Sequence, residues 1–313
     1  MRISILKTPL IAAFFLLCLL SACSQDNSSG QAEIQTCSTK TTAIALLQGT
    51  GPKSERVGQQ VSVQGIVTLI ERGQGMYIEE PDSDTDDQTS NALFLAATDL
   101  DVNIQPGTRL EAHGTVTEIK KGRNSLTALS NIEKVSICGH DQVLPLTPAT
   151  LPLNGLGRES IEGMRIRLPQ ALTVTDNYRL NKGQVGVSGN NFQFTATEVT
   201  QPGEPAAEYS RKNQNYQMPL QLEISIAAND LLVAGTAIND VVGVMAHDDR
   251  NLRLHVAAMT TGSTGIEQRF DYSAPEPAAE SEIRVVSINL HNYFNGDGQG
   301  AGFPTSRGAE TAT

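Results

Sequence analysis

The chain of 313 residues has no tryptophan, and Phe, Tyr and Trp together make up 4% of it. A surface that reads nucleic acid by extensive base stacking needs more aromatic rings than that, so any stacking must rest on a few of them. Positive charge is also scarce. Lys and Arg number 23 against 34 Asp and Glu, a net charge of −11. Such a balance excludes broad electrostatic capture of a polyanion. It leaves room for an enzyme that meets phosphate through a divalent ion, because the ion supplies the positive charge locally. The histidines His113, His140, His247, His255 and His291 are dispersed. No HExxH, GxSxG or phosphate-binding P-loop pattern occurs, so the common zinc-protease, serine-hydrolase and NTPase signatures are missing. The one long apolar run, "PLIAAFFLLCLL" at residues 9–20, is shorter than a membrane span requires.

That run is preceded by Arg2 and Lys7 and followed by "LSAC", ending at Cys23. The arrangement resembles the signal and lipobox of a bacterial lipoprotein. The resemblance implies cleavage before Cys23, lipidation of its thiol and amine, and a membrane tether. Residues 1–22 are then the signal peptide, and residues 23–36, polar and small, a flexible tether. Ser24 in place of Asp after the cysteine points to the outer membrane or cell surface. The alternative is an ordinary secretory signal with Cys23 incidental. Either way the chain is exported, which leaves Cys37 and Cys138 in an oxidising compartment. Two such thiols most simply pair; the alternative is two buried free thiols.

Short β-branched segments dominate the rest. "QQVSVQGIVTLIE", "GMYIEEPD", "NALFLAA" and a hairpin turning near Lys121-Gly122-Arg123-Asn124 lie between the two cysteines, followed by "IEKVSIC". A weak repeat runs through them. Gly58-x-x-Val61-x-Val63-x-Gly65 recurs as Gly107-x-x-Leu110-x-Ala112-x-Gly114, and more loosely as Gly235-x-x-Ile238 leading to Gly243. Glycine inside a strand marks a bend or a close backbone approach, as a small curved barrel needs. Residues 37–139 therefore read as an OB-like β-barrel, with a generic β-sandwich as the alternative. Proline-spaced residues 140–153 read as a linker. A second β-rich module occupies residues 154–268, with "NFQFTATEV" among its strands and "TQPGEPAAEYSRKNQNYQ" as a long polar loop. Residues 269–282, rich in Pro, Ala and Glu, form a second linker.

Two sets of residues suggest binding. Asp82, Asp84 and Asp86 alternate along one loop, as oxygen ligands for calcium do. The EF-hand pattern fails, because Asp87 stands where glycine is needed and Leu93 where glutamate is needed. A solvated acidic loop explains the run equally. The rings available to stack on nucleic acid are Tyr77 and Phe94, with Tyr178, Phe192 and Phe194 in the second module; otherwise they fill cores.

The terminal segment "IRVVSINLHNYFNGDGQGAGFPTSRGAET" begins as a buried strand and runs into alternating glycines. Gly296-x-Gly298-x-x-Ala301 is no dinucleotide fingerprint, because Phe303-Pro304-Thr305 blocks the helix that motif requires. The segment resembles the start of the catalytic domain in secreted ExeM/NucH-type endonucleases of the endonuclease/exonuclease/phosphatase superfamily. Ile288 stands where that family usually has an aromatic, and His291 where an apolar residue is usual. The resemblance implies that residues 283–313 hold the first strand and loop of an α/β two-sheet sandwich whose later metal ligand, Asp and His lie beyond this chain. It implies catalytic use of Asn289, whose amide would reach the scissile phosphate and the metal, and Mg2+ or Mn2+ as the ion. The expectation is a mainly β chain: the N-terminal portion of an exported, metal-dependent endonuclease acting on nucleic acid, DNA foremost, and inactive as it stands. The alternative is a non-enzymatic surface lipoprotein that binds oligonucleotide or saccharide through OB-like barrels.

Overall fold

The computed structural model describes residues 36–82, 86–98, 103–122, 124–153, 157–223, 232–248 and 252–264, with residues 279, 281–283 and 285. Cys23, Asp84 and Asn289 lie outside the described residues, as does nearly all of the nuclease-like segment.

Five strands close into the first barrel: β1 (Gln60–Glu71), β2 (Gly75–Glu79), β3 (Ala92–Leu95), β4 (Arg109–Lys121) and β5 (Asn124–Gly139). They run in the order β1-β2-β3-β5-β4, and β4 closes against β1. β1 to β3 form a meander and β4 returns beside β1, a Greek-key path. The β3–β5 pair is parallel and the others are antiparallel. Alternation does the sorting. Val61, Val63, Leu110, Ala112 and Val116 point inward, while Ser62, Gln64, Glu111 and His113 are only partly buried. A short helix α1 (Ile44–Gln48) caps this core with Ile44 and Leu47. The barrel expected from the sequence is therefore present. "IEKVSIC" is not a separate strand but the second half of β5, which continues past Asn131 at φ 46°.

The second module repeats this architecture. Its strands are β6 (Thr147–Pro148), β7 (Arg165–Leu168), β8 (Leu172–Asp176), β9 (Gln184–Ser188), β10 (Gln217–Gln221), β11 (Thr236–His247) and β12 (Leu252–Thr264). β8, β9, β10, β12 and β11 follow one another, and β11 pairs with both β8 and β12, so these five strands close. β10 and β12 are the parallel pair, as β3 and β5 are in the first barrel. β7 and β8 form one run broken at Pro169-Gln170-Ala171, both antiparallel to β11, and together they take the place of β1. The glycine repeat has its reason here. A Cβ on Gly114 of β4 would lie 2.7 Å from the Ser130 carbonyl oxygen, and one on Gly243 of β11 would lie 2.3 Å from the His255 carbonyl oxygen. Both glycines sit at register shifts against the last strand of their barrel, where the sheet bends to close.

Three segments differ from the sequence reading. Residues 140–153 are not an exposed linker. β6 adds to the edge of the second sheet in parallel with β7, and Leu144, Ala149 and Leu151 are buried. "NFQFTATEV" is not a strand; it leads into the one-turn helix α2 (Ala196–Val199). The polar loop contains α3 (Glu204–Asn215). Proline near the start of α3, two alanines and a mostly polar helix-forming composition favour that helix, yet it buries only Ala206, so it carries little apolar periodicity to betray it. Both barrels belong to one compact unit, Met1–Ile266.

Cys37 and Cys138 form a disulfide with Cα atoms 5.5 Å apart across 101 residues of sequence. It ties the segment before α1 to the end of β5 and so spans the whole first barrel. Closing so long a loop removes about 4–5 kcal/mol of unfolded-chain entropy. Cys37→Ser and Cys138→Ser should each lower the melting temperature by a similar amount, and the double variant should be no worse than either. Unequal single variants, or an additive double, would show that the cysteines act separately.

Candidate nucleic-acid interface

Tyr77 and Phe94, two of the rings offered for base stacking, are not exposed. They face each other across the β2–β3 pair with ring centroids 4.9 Å apart. Their exposures of 0% and 2% leave no face for a base, which corrects the expectation of nucleic-acid contact there. The second barrel covers them. The His247 backbone N–H donates to the Tyr77 hydroxyl at 3.0 Å, and Val244 and Ala246 of β11 join the same apolar cluster. Gly163 lets the chains meet, since a Cβ there would lie 3.0 Å from both Ala92 and the Tyr77 ring.

Polar groups surround that contact. Glu79 accepts the Arg165 backbone N–H at 2.8 Å, and the Ser90 hydroxyl donates to the Glu162 carbonyl oxygen. The Glu162 carboxylate meets His247 Nε2 at 3.0 Å, with side-chain exposures of 4% and 0%. Burial pushes Glu79 up to about 7, against the opposing pull of Arg165. Burial likewise raises Glu162, opposed by His247, and raises Glu159 and the Tyr77 hydroxyl. A buried His–Glu pair invites a catalytic reading, but groups this enclosed cannot touch a polymer, so the pair holds the junction together.

Asp82 and Asp86 stand at the ends of the acidic run. Asp86 accepts the Gln88 backbone N–H at 2.9 Å, a local turn. Among the described residues no group of three His, Cys, Asp or Glu side chains is placed to hold a metal.

The opposite situation holds on the second barrel, where the face of β8, β9 and β10 lines an open cleft of about 540 Å³. Val185, Val187, Met218 and Leu220 fill the barrel, so the alternate residues Gln184, Gly186, Gln217 and Pro219 face outward. The connection from β8 to β9 brings Tyr178, 88% exposed, and Arg179 to the rim. The Tyr178 backbone N–H donates to the Asp176 carboxylate at 2.9 Å, which fixes that turn. Arg158 donates to the Gln217 carbonyl oxygen at 2.8 Å, and burial lowers its pKa. Arg253 of β12 completes the wall and is held by an ion pair to Asp248. Beside the cleft, Phe192 and Phe194 pack edge to face at 5.2 Å, with Phe194 exposed. Gln193 between them accepts from Gln217 at 2.6 Å and donates to Ser188 at 2.9 Å, which pins this loop to β9 and β10.

The arrangement offers guanidinium groups for phosphate and one free ring for a base. Sequence reasoning named Tyr178, Phe192 and Phe194 but missed Arg158, Arg179 and Arg253. Those arginines span 95 positions of sequence and form no run; only the barrel's closure gathers them. No protein-family model matches the chain, and neither does any curated protein or solved structure.

Glu79 gives the junction a pH signature. Its pKa is raised on folding, so its contribution is fully present below about 4.5 and lost as pH rises through about 7. Glu79→Gln keeps an acceptor for the Arg165 N–H without the charge. The variant should gain on the order of 2–3 kcal/mol over the native chain at pH 8 and little at pH 4.5. Denaturant titrations at the two pH values check this; equal differences at both would refute it.

Proposed function

We propose that the tandem barrels bind single-stranded nucleic acid on the β8–β10 face, as the accessory module of an exported, metal-dependent phosphodiesterase. One observation carries the binding reading: Arg158, Arg179 and Arg253 converge on a cleft rimmed by the exposed Tyr178, in a chain of net charge −11. The corresponding strand face is where five-stranded Greek-key barrels take oligonucleotides and oligosaccharides. Phosphates would sit on the guanidinium groups and a base on Tyr178, with Phe194 able to extend the platform. The hydrolytic half of the proposal rests on the resemblance of residues 283–313 to the start of a nuclease domain. Asn289 would donate to the phosphate there, with Mg2+ or Mn2+ neutralising developing charge. Among the described residues no side-chain group fits that ion. A lipid on Cys23 would keep the module at the membrane surface.

A second reading is a surface lipoprotein that binds saccharide without catalysis; the amides of Gln184 and Gln217 beside one exposed ring suit a sugar as well. Salt separates the two. Neutralising up to three phosphates on a single strand gives a slope of log K against log salt of about −2. Fluorescence anisotropy with labelled oligothymidylate should therefore show binding that weakens steeply with salt. Tyr178→Ala should weaken it about ten-fold, and Arg179→Glu with Arg253→Glu should abolish it. Salt-independent binding of a neutral oligosaccharide, with none of oligothymidylate, would establish the second reading. The 313-residue chain with magnesium should leave plasmid DNA uncut; cleavage lost in Asn289→Ala would make the chain itself catalytic.

A further inference from the structure

A second cavity lies between the barrels and shares no lining residue with the β8–β10 cleft. Its volume is about 570 Å³, within the range of roughly 300–1,000 Å³ usual for small-molecule sites. β1 of the first barrel supplies one wall through Ile66, Val67 and Leu69, while Leu144, Leu222 and Val244 supply apolar surface from the other side. Strand register builds its polar floor. Arg165 stands opposite Val244, Val244 opposite His255, and His255 opposite Gln221. Directly paired residues project from the same face of a sheet, so these four form one row across β7, β11, β12 and β10.

One group in that row lacks the hydrogen bond that its burial requires, and a cation stands in the same row. His255 Nε2 is buried and has no hydrogen-bond partner. Buried polar atoms are almost always paired, and an orphan marks a place for a ligand or water. Burial and the Arg253 charge hold His255 down to about 4, against the pull of Asp248, so the ring is neutral at ordinary pH. Arg165 donates one guanidinium N–H to the Leu144 carbonyl oxygen at 3.2 Å, and its charge also acts on the Glu79 carboxyl. A cation and a neutral imidazole thus stand at one end of a largely apolar cavity.

We propose that this cavity binds a small amphipathic carboxylate, such as a medium-chain fatty acid. Its carboxylate meets Arg165 and accepts from His255 Nε2–H, and its chain lies against β1. The site is separate from the β8–β10 face and does not rest on the nucleic-acid reading. It is formed by both barrels, so an occupant also ties them together.

Isothermal titration with decanoate, decanol and decyltrimethylammonium tests this on the full chain. Decanoate should bind one to one and raise the melting temperature, decanol should bind at least about ten-fold more weakly, and the cation should not bind. Arg165→Gln should weaken decanoate about ten-fold, the scale of a charged hydrogen bond, and leave decanol unchanged. Ala257 is exposed and lines the cavity, so Ala257→Trp fills it without entering a core and should abolish binding of both. Oligothymidylate binding should be the same in all of these variants. Equal affinity for decanoate and decanol, no binding of either, or decanoate binding that survives Ala257→Trp would each overturn the proposal.

Discussion

The burial of Tyr77 between the barrels is the constraint on which the rest depends. Its ring is fully enclosed, and an enclosed hydroxyl must find a partner or cost more than the ring's burial returns. The partner is a backbone N–H of β11, which fixes the position of the second barrel's longest hairpin relative to β2 of the first. Gly163, Ala92 and Val244 are small or compact where the contact is closest. The first barrel thereby gives up the strand face that such barrels usually offer to ligands. Any ligand of that kind must go to the second barrel, whose equivalent face is open.

The polar groups around Tyr77 act on orientation more than on stability. Desolvating Glu79 and Glu162 costs free energy that their partners only partly return, as the upward pull on both carboxyls records. Apolar residues of similar shape would make a stronger contact, but one that could slide. Glu79 on the Arg165 N–H and Glu162 on His247 are satisfied only in one register of β7 and β11 against β2. That register also lines up Arg165 and His255 beside β1, so the cavity between the barrels depends on the same contacts.

Strands, barrel closure and the disulfide were legible because each has a local or arithmetical signature. Val61 and Val63 alternate with Ser62 and Gln64, Gly114 and Gly243 recur within matching patterns, and the expected export would leave Cys37 and Cys138 to pair. α3 was hidden because it is exposed on nearly all sides and has no apolar stripe to give it a helical period. The packing of residues 140–153 was hidden for a related reason: a two-residue edge strand containing proline has no alternation to detect. Tyr77 and Phe94 sit in short strands that are buried on both faces, which reads the same in sequence as a strand with one aromatic face exposed. What separates those cases is the partner of Tyr77, His247, 170 residues away, and no pattern within a strand encodes it.

The five closing strands of each barrel share their order and one parallel pair, so the difference between their faces must come from what joins the strands. In the first barrel, the connection from β1 to β2 is a tight turn, and Tyr77 and Phe94 of β2 and β3 pack against Val244 and Ala246 of β11. In the second, the β8–β9 connection carries Tyr178 and Arg179 outward, and the long β9–β10 connection holds the phenylalanine pair and two helices. These additions obstruct docking of the kind that buries Tyr77, and they rim the β8–β10 face with groups that reach into solvent. The same closure therefore yields a barrel whose face is spent on assembly and a barrel whose face stays open. The cost of exposing Tyr178 is small on a loop-supported rim, whereas Tyr77 in that position would be a large unpaired apolar surface.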